Sequence, residues 1–141
     1  MRSPKFETAK VLTIGDAMID RYWHGVAKRI SAEAPIPVVE VTEIEDRLGG
    51  AANVALNIAT LGAESCLVAA TGLDAAEKEL TAKLKASNIN ASLVKDPLRP
   101  TTIKVRIVSQ NQQIVRADFE EKFDISASSL VRAATHFDRI D

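Results

Sequence analysis

Two adjacent glycines at the start of a predicted helix form the most chemically informative part of the sequence. Gly49 and Gly50 precede Ala51, Ala52 and Asn53. Glycines at such a position let a ligand approach the backbone closely, and the free N–H groups of the first turn attract polar or anionic groups. A tight turn that binds nothing has the same pattern, and the glycine pair alone leaves both readings open. The amide of Asn53 favours a binding site, because it can both donate to and accept from a ligand hydroxyl.

A second candidate binding residue follows the first predicted strand. The apolar run from Lys10 to Ile14 predicts a short buried strand, and Gly15 and Asp16 come directly after it. Ligands of α/β proteins bind at the carboxyl edge of the sheet, and a carboxylate there can accept hydrogen bonds from two neighbouring hydroxyls. A helix cap or a turn also favours aspartate, so this dipeptide leaves a structural role open.

The secondary-structure elements that must position these residues include two extended segments before the glycine pair. Residues 20–47 have no helical period and contain Tyr22, Trp23, Pro35 and Pro37. Both prolines are best tolerated outside a central ladder. We therefore expect two edge-like strands joined by a loop.

The helix after the glycine pair is expected to run from about residue 51 to residue 61. Its apolar residues Val54, Ile58 and Leu61 recur at i, i+4 and i+7, which predicts a buried face. Gly62 supplies the signal for its end.

A strand near residues 65–70 and a second helix follow. Asp74 is the expected N-cap, with Glu77 three residues later as in a capping box. Leu80 and Leu84 mark the side that this helix buries.

The remaining segments predict two strands and a hairpin. Strands are expected near 91–94 and 101–109, a turn at 109–112, a returning strand at 113–120, and a last helix near Ser126. Alternating strands and helices favour an α/β fold with a largely parallel sheet. The extended pair and the hairpin do not fit a plain doubly wound pattern, so we expect an additional small β-layer.

Composition excludes several classes of protein. The 141 residues suffice for one domain with a real core. Lysine plus arginine number 18 and aspartate plus glutamate 19, so no global field attracts nucleic acid or an anionic membrane. Cys66 is the only cysteine and lies in an apolar run, which predicts a buried, inert thiol and a reducing, cytoplasmic setting. Neither a usual signal peptide nor an apolar stretch of about 20 residues is present.

The motifs together resemble a known family. The segments GDAMIDRYW at 15–23, RISAEAPIPV at 29–38 and GGAANVA at 49–55 are similar, in this order, to the N-terminal region of the ribokinase-like (phosphofructokinase B) carbohydrate kinases. Within that family they most resemble the branch that phosphorylates D-glycero-β-D-manno-heptose 7-phosphate in bacterial ADP-heptose and lipopolysaccharide core synthesis. The stretches at 102–106 and 111–121 are similar to this branch as well, so the likeness extends from about Val11 to Glu121.

The resemblance implies a ribokinase-like α/β sandwich, here incomplete, in which residues 20–47 and 101–120 supply a small β-sheet lid over the sugar. It implies that Asp16, Gly49, Gly50 and Asn53 contact sugar hydroxyls. It also implies ATP and Mg²⁺ as cofactors of the parent enzyme and a homodimer formed through the lids.

The phosphate of such a substrate needs positive charge, which the predicted hairpin offers. Lys104, Arg106 and Arg116 share its polar face, and guanidinium groups suit phosphate geometry. A solvated strand face with salt links to Asp118 is the alternative.

Tyr22 and Trp23 either line the sugar site or fill the lid interface. The two histidines, His24 and His136, are expected at the surface rather than as bases.

The residues of phosphoryl transfer itself are not expected in this chain. In the family, the base and the anion hole belong to a Gly-x-Gly-Asp motif far toward the C-terminus, and this sequence has no glycine after Gly72. We therefore expect residues 1–141 to form the N-terminal part of one kinase domain, inactive alone. Another phosphorylated sugar and a non-catalytic, lid-mediated dimerisation module are alternatives. A dinucleotide-binding domain is disfavoured, because no Gly-x-Gly-x-x-Gly turn follows the first strand.

Overall fold

The structure, a computed structural model, describes residues 6–121. Two sheets and two helices make up this part of the chain. The elements are β1 (Lys10–Ile14), β2 (Ala17–Ile30), β3 (Pro37–Gly50), α1 (Ala51–Thr60), β4 (Glu64–Thr71), α2 (Ala75–Ala86), β5 (Asn90–Lys95), β6 (Ile103–Ser109) and β7 (Gln112–Phe119). The helix expected near Ser126 and the residue His136 lie outside the described residues.

The first sheet is parallel and has the order β1-β4-β5. Its middle strand β4 is buried from Ser65 to Thr71, as its apolar run predicts. The prediction that β1 is buried was wrong, because Ile14 is 60% exposed. The reason is its place at the sheet edge, where β4 is its only strand neighbour within residues 6–121.

The second sheet contains both the extended pair at residues 20–47 and the hairpin at residues 101–120, for which an additional β-layer was expected. Its order is β3-β2-β6-β7, with β2 antiparallel to β3 and parallel to β6, and with β6 antiparallel to β7. The prolines lie where expected, since Pro35 is in the loop and Pro37 begins β3. The expectation that β2 is edge-like was wrong, because β6 pairs along its other side from Ile19 to Gly25.

Helix α1 begins directly after the glycine pair, and its predicted buried face was wrong. Val54 and Leu61 are exposed, whereas Ala52 and Ala55 are completely buried. Alanines on this side let the helix axis approach the sheets closely, while Leu56 packs partly against the core and Val54 is left on the outer side. The predicted end is confirmed, since α1 stops at Thr60 and Gly62 has a φ of 91°.

Helix α2 has the predicted cap and the predicted core residues. The Oδ1 atom of Asp74 accepts a hydrogen bond from the Glu77 N–H at 2.9 Å. Leu80 and Leu84 are buried against the sheets. The Glu77 carboxylate accepts from the Thr81 hydroxyl at 2.8 Å instead of closing a capping box.

The core lies between the helices and the two sheets. It includes Ile19 of β2, Leu48 of β3 and Leu67 of β4, so both sheets share it. Cys66 is buried beside them, as predicted, and burial raises the pKa of its thiol, which keeps it protonated and unreactive. No helix within residues 6–121 is long and apolar enough to cross a membrane.

Candidate functional site

The turn that carries Asp16 is fastened to the start of α1. The backbone carbonyl of Asp16 accepts a hydrogen bond from the Ala51 N–H at 2.9 Å. Gly50 has φ 57° and ψ −134°, and a Cβ atom added there would lie 2.4 Å from the Asp16 carbonyl oxygen. Only glycine combines this dihedral region with such a close approach. Gly50 is therefore required where the β1–β2 turn meets the start of the helix.

Asp20 is the next acidic residue on β2 and lies against Gly49. A Cβ atom at Gly49 would be 2.8 Å from both Asp20 Oδ2 and Met18 Cγ. Met18 and Asp20 share one face of β2, because side chains alternate along a strand. That face points toward the glycine pair.

Asp20 also connects the glycine turn to the hairpin. Its Oδ1 accepts a hydrogen bond from Arg106 Nη1 at 2.6 Å, and both side chains are only about one-fifth exposed. The ring of Tyr22 lies beside them, with the Arg106 guanidinium carbon 5.5 Å and that of Arg47 4.5 Å from its centroid. Cations at these distances from an aromatic face are attracted by its quadrupole.

The other two basic residues of the hairpin are also paired with carboxylates. Lys104 Nζ lies 3.6 Å from Asp118 and 3.5 Å from Glu120. Arg116 Nε lies 2.9 Å from Asp118. The polar face expected from the alternation thus exists. The salt links to Asp118, which were the alternative to phosphate binding, form for Lys104 and Arg116, while Arg106 binds Asp20.

An open pocket of about 500 Å³ lies next to this face. It brings Asn53 of α1 together with Asp20 and Tyr22, whereas Trp23 points to the opposite face of the sheet. The lining residues are Asp20, Tyr22, Asp46, Arg47, Leu48, Asn53, Leu56, Lys83, Ala86 and Ser87.

One wall of the pocket is fixed by an ion cluster between β2, β3 and α2. Arg21 donates to both carboxylate oxygens of Asp46, at 2.7 and 2.8 Å, and to Glu79 at 2.6 Å. The hydrogen bond from Arg21 holds the pKa of Asp46 below its usual value, although burial acts in the opposite direction. The second sheet is thereby linked to α2 by charge-assisted bonds.

Asp16 itself has a different neighbour. Its side chain is 74% exposed, and the nearest cation is Arg99, whose Nη2 lies 3.9 Å from Asp16 Oδ1. Arg99 belongs to the loop between β5 and β6. This loop follows the carboxyl end of β5, so it lies at the same edge of the parallel sheet as the turn after β1.

The structure thus divides the predicted site residues into two groups. Asp16, Gly49, Gly50 and Asn53 surround the start of α1, while Lys104, Arg106 and Arg116 lie on the hairpin. Sequence reasoning missed Asp20, which touches both groups. The two-residue period of β2 could have found it, since Asp20 shares a face with Met18 and Tyr22. No sequence signal pointed to Arg99, which is adjacent to Asp16 only in space.

The family resemblance implies ATP and Mg²⁺, and the described residues do not fit them by themselves. Among residues 6–121, no group of three or more histidine, cysteine, aspartate or glutamate side chains is arranged to hold a metal ion. The phosphate-cradling glycine motif is likewise not part of this sequence.

The family profile and the similar sequences that match this chain agree with one another. A profile described as pfkB family carbohydrate kinase matches residues 8–138. The chain is 53% identical over 127 residues to "Bifunctional protein HldE" of Pseudomonas aeruginosa PAO1, covering 90% of this chain and 27% of that protein. It is 50% identical over all 141 residues to the protein of the same name from Photorhabdus laumondii, covering 29% of it. The chain therefore spans less than a third of the length of these relatives.

Solved structures show the same fold. A putative phosphofructokinase from Staphylococcus aureus superposes with a TM-score of 0.66 at 17% identity, covering 89% of this chain and 38% of that one. Ribokinase from Giardia lamblia gives a TM-score of 0.66 at 19% identity, covering 88% and 40%. The expected ribokinase-like α/β fold is thereby confirmed. The chain belongs to the pfkB family of carbohydrate kinases.

Proposed function

We propose that this chain forms the sugar-phosphate-binding part of an ATP-dependent kinase that phosphorylates D-glycero-β-D-manno-heptose 7-phosphate at O1. The observation that carries the proposal is the position of Asp20. Its carboxylate touches the glycine turn at Gly49 and bonds Arg106 of the hairpin, so polar groups suited to a sugar and basic groups suited to a phosphate share one face.

The sugar would be held at the start of α1. Asp16 offers an exposed carboxylate as acceptor, and Asn53 offers an amide that can donate and accept. Gly49 and Gly50 let the backbone of this turn lie directly against Asp16 and Asp20, which fixes both carboxylates at the start of the helix. Tyr22 provides a flat apolar surface in the same pocket as Asn53.

The phosphate would be held by Lys104, Arg106 and Arg116. Each is paired with a carboxylate, so the phosphate must compete with Asp20, Asp118 or Glu120 for these cations. A phosphate carries close to two negative charges at neutral pH and accepts several hydrogen bonds at once. This gives it an advantage over a single carboxylate at a cluster of three cations.

The choice of heptose rests on the relatives and on the motifs. The motifs at 15–23, 29–38 and 49–55 resemble the heptose branch of the family, and the chain is 53% identical to "Bifunctional protein HldE" over 90% of its length. We propose that the catalytic base, the ATP site and its Mg²⁺ lie outside these 141 residues, and that the enzyme works in the cytoplasm. Kinases for other phosphorylated sugars are the alternative within the family.

We also propose that residues 20–47 and 101–120 form a lid that pairs with a second copy of the chain. The face of the sheet opposite Asp20 carries Trp23 beside Ile44 and Ile107, and Ile44 is 61% exposed. An exposed apolar stripe of this kind is suited to a protein interface.

Phosphorylation by the full-length protein that carries this chain tests the proposed function. We expect ATP-dependent transfer to D-glycero-β-D-manno-heptose 7-phosphate, detected as the 1,7-bisphosphate, with a higher kcat/KM than for ribose 5-phosphate or fructose 6-phosphate. Preference for another phosphorylated sugar would support the alternative within the family. Transfer to none of them would contradict the proposal.

A further inference from the structure

Arg99 is held in a fixed position at the carboxyl edge of the parallel sheet. Its backbone N–H donates to the Asp96 carbonyl at 3.3 Å. Its own carbonyl lies so close to Gly72 that a Cβ atom there would be 2.5 Å away. The side chain is only 11% exposed. Arg99 is therefore packed into the structure at the point where this fold binds ligands.

The guanidinium of Arg99 lacks the partners that a buried charge normally has. Its Nε is buried without a hydrogen-bond partner within residues 6–121. Its ion pair in the same part of the chain is with Asp16, at 3.9 Å. That distance exceeds a hydrogen bond, since charge-assisted N–H···O contacts measure about 2.7–2.9 Å. Because Nε is buried, a ligand at this guanidinium would bond its terminal nitrogens, of which Nη2 faces Asp16 without a hydrogen bond to it.

We infer that Arg99 is a substrate-contacting residue of the sugar site. It donates to a hydroxyl oxygen of the sugar that lies between its guanidinium and the Asp16 carboxylate. The same hydroxyl donates a hydrogen bond to the Asp16 carboxylate, so it accepts from Arg99 and donates to Asp16. The inference rests on the proposed function, since it assigns a further residue to the same site.

A phosphate is a poor candidate for this position. The Asp16 carboxylate lies 3.9 Å from the Arg99 nitrogen, so a dianion bound there would be close to a like charge. A neutral hydroxyl is compatible with both groups. A purely structural role for Arg99 also fits less well, because Asp16 is largely exposed and too distant to fix the guanidinium.

Calorimetric titration of the full-length protein with heptose and with heptose 7-phosphate tests this inference. We expect Arg99→Met to weaken binding of both ligands by the same factor, about 10- to 100-fold, as for a lost hydrogen bond to a charged group. Arg99→Lys keeps the charge but not the fork of donors, so it should recover only part of the loss. Lys85→Met, which removes an exposed cation from the last turn of α2, serves as the control and should bind as the wild type does.

A double-mutant cycle with Asp16→Asn measures whether the losses of sugar affinity in the two variants are coupled, which a purely structural role of Arg99 would not produce. If both side chains contact one hydroxyl, the combined variant should lose much less affinity than the product of the two single losses.

Wild-type affinity of both Arg99→Met and Arg99→Lys, or a loss confined to the phosphorylated sugar, would overturn the inference. If Arg99→Met fails to fold, full affinity of Arg99→Lys overturns it and a partial loss for both ligands supports it. A wild-type protein that binds neither sugar would defeat the proposed function itself, and the role of Arg99 with it.

Discussion

Arg106 Nη1 donates to Asp20 Oδ1 at 2.6 Å, and this bond joins β6 to β2 across positions 86 residues apart in the sequence. Because Asp20 also abuts Gly49, the bond places the hairpin's positive charge beside the glycine turn. The two groups of predicted site residues therefore meet through a carboxylate that was not among them.

Loss of Arg106 should discriminate between phosphorylated and unphosphorylated sugar. The side chains of Lys104, Arg106 and Arg116 balance those of Asp20, Asp118 and Glu120, so Arg106→Met leaves this face with a net negative charge. We expect affinity for heptose 7-phosphate to fall about 10-fold or more, with a smaller loss for heptose. Titration calorimetry on the full-length protein measures both. Equal losses would assign Arg106 to the support of Asp20 rather than to the phosphate.

Replacement of Gly50 by alanine should destabilise the fold. The new Cβ would need a dihedral region closed to alanine and would also meet the Asp16 carbonyl oxygen. We expect a loss of at least about 1–3 kcal/mol in the free energy of unfolding, measured by urea denaturation. Gly62→Ala is the matched control, because Gly62 also has a positive φ but a Cβ there meets only Glu7 Cγ, at 3.9 Å. Similar losses in both variants would show that the contact with Asp16 is unimportant.

Asp74 should give stability that depends on pH. Burial alone would raise its pKa, but hydrogen bonds from the Thr101 and Glu77 N–H groups outweigh burial and hold the pKa below its usual value. Its contribution is therefore present above the unfolded pKa, about 3.9, and is lost as the pH falls through the lower folded pKa.

We expect Asp74→Ala to lower the free energy of unfolding by about 0.5–2 kcal/mol near neutral pH, as for a lost N-cap. The difference from the wild type should shrink below about pH 4. Urea denaturation at several pH values measures it, with the exposed Glu43→Gln as control. A difference that stays constant down to acidic pH would mean that the carboxylate charge is unimportant to the cap.

The exposed apolar stripe predicts self-association through the second sheet. Ile44→Asp places a charge beside Trp23, which should convert a dimer into a monomer without changing the secondary structure. Sedimentation velocity at micromolar concentrations and circular dichroism measure the two effects. Val54→Asp, on the exposed side of α1, controls for the added charge. A monomeric wild type would contradict the proposed interface.

The sequence predicted most elements, because their signals were local. The turn after β6 is an example, since Gln110 and Asn111 adopt positive φ values, which asparagine tolerates well. The buried face of α1 was missed for a physical reason. Periodicity counts large apolar side chains, whereas a helix packed close to a sheet buries alanine, as Ala52 and Ala55 do.

The candidate site was only partly predictable. Gly49, Gly50 and Asn53 form a contiguous motif, so the start of α1 could be recognised from the chain alone. Asp20 and Arg99 gain their neighbours only through tertiary structure. Their partners are Arg106 and Asp16, each more than eighty positions away, and one sequence contains no signal for such a pairing.

The sugar-binding role of Asp16 tests the account most directly. In the full-length protein, Asp16→Asn keeps the size of the side chain but replaces a carboxylate acceptor, so the sugar hydroxyl loses a charged partner. Titration calorimetry with heptose 7-phosphate should show an affinity about 10- to 100-fold lower than that of the wild type, with an unchanged melting temperature and unchanged binding of an ATP analogue. Wild-type sugar affinity in a destabilised variant would instead make Asp16 a structural residue of the turn and would contradict the account.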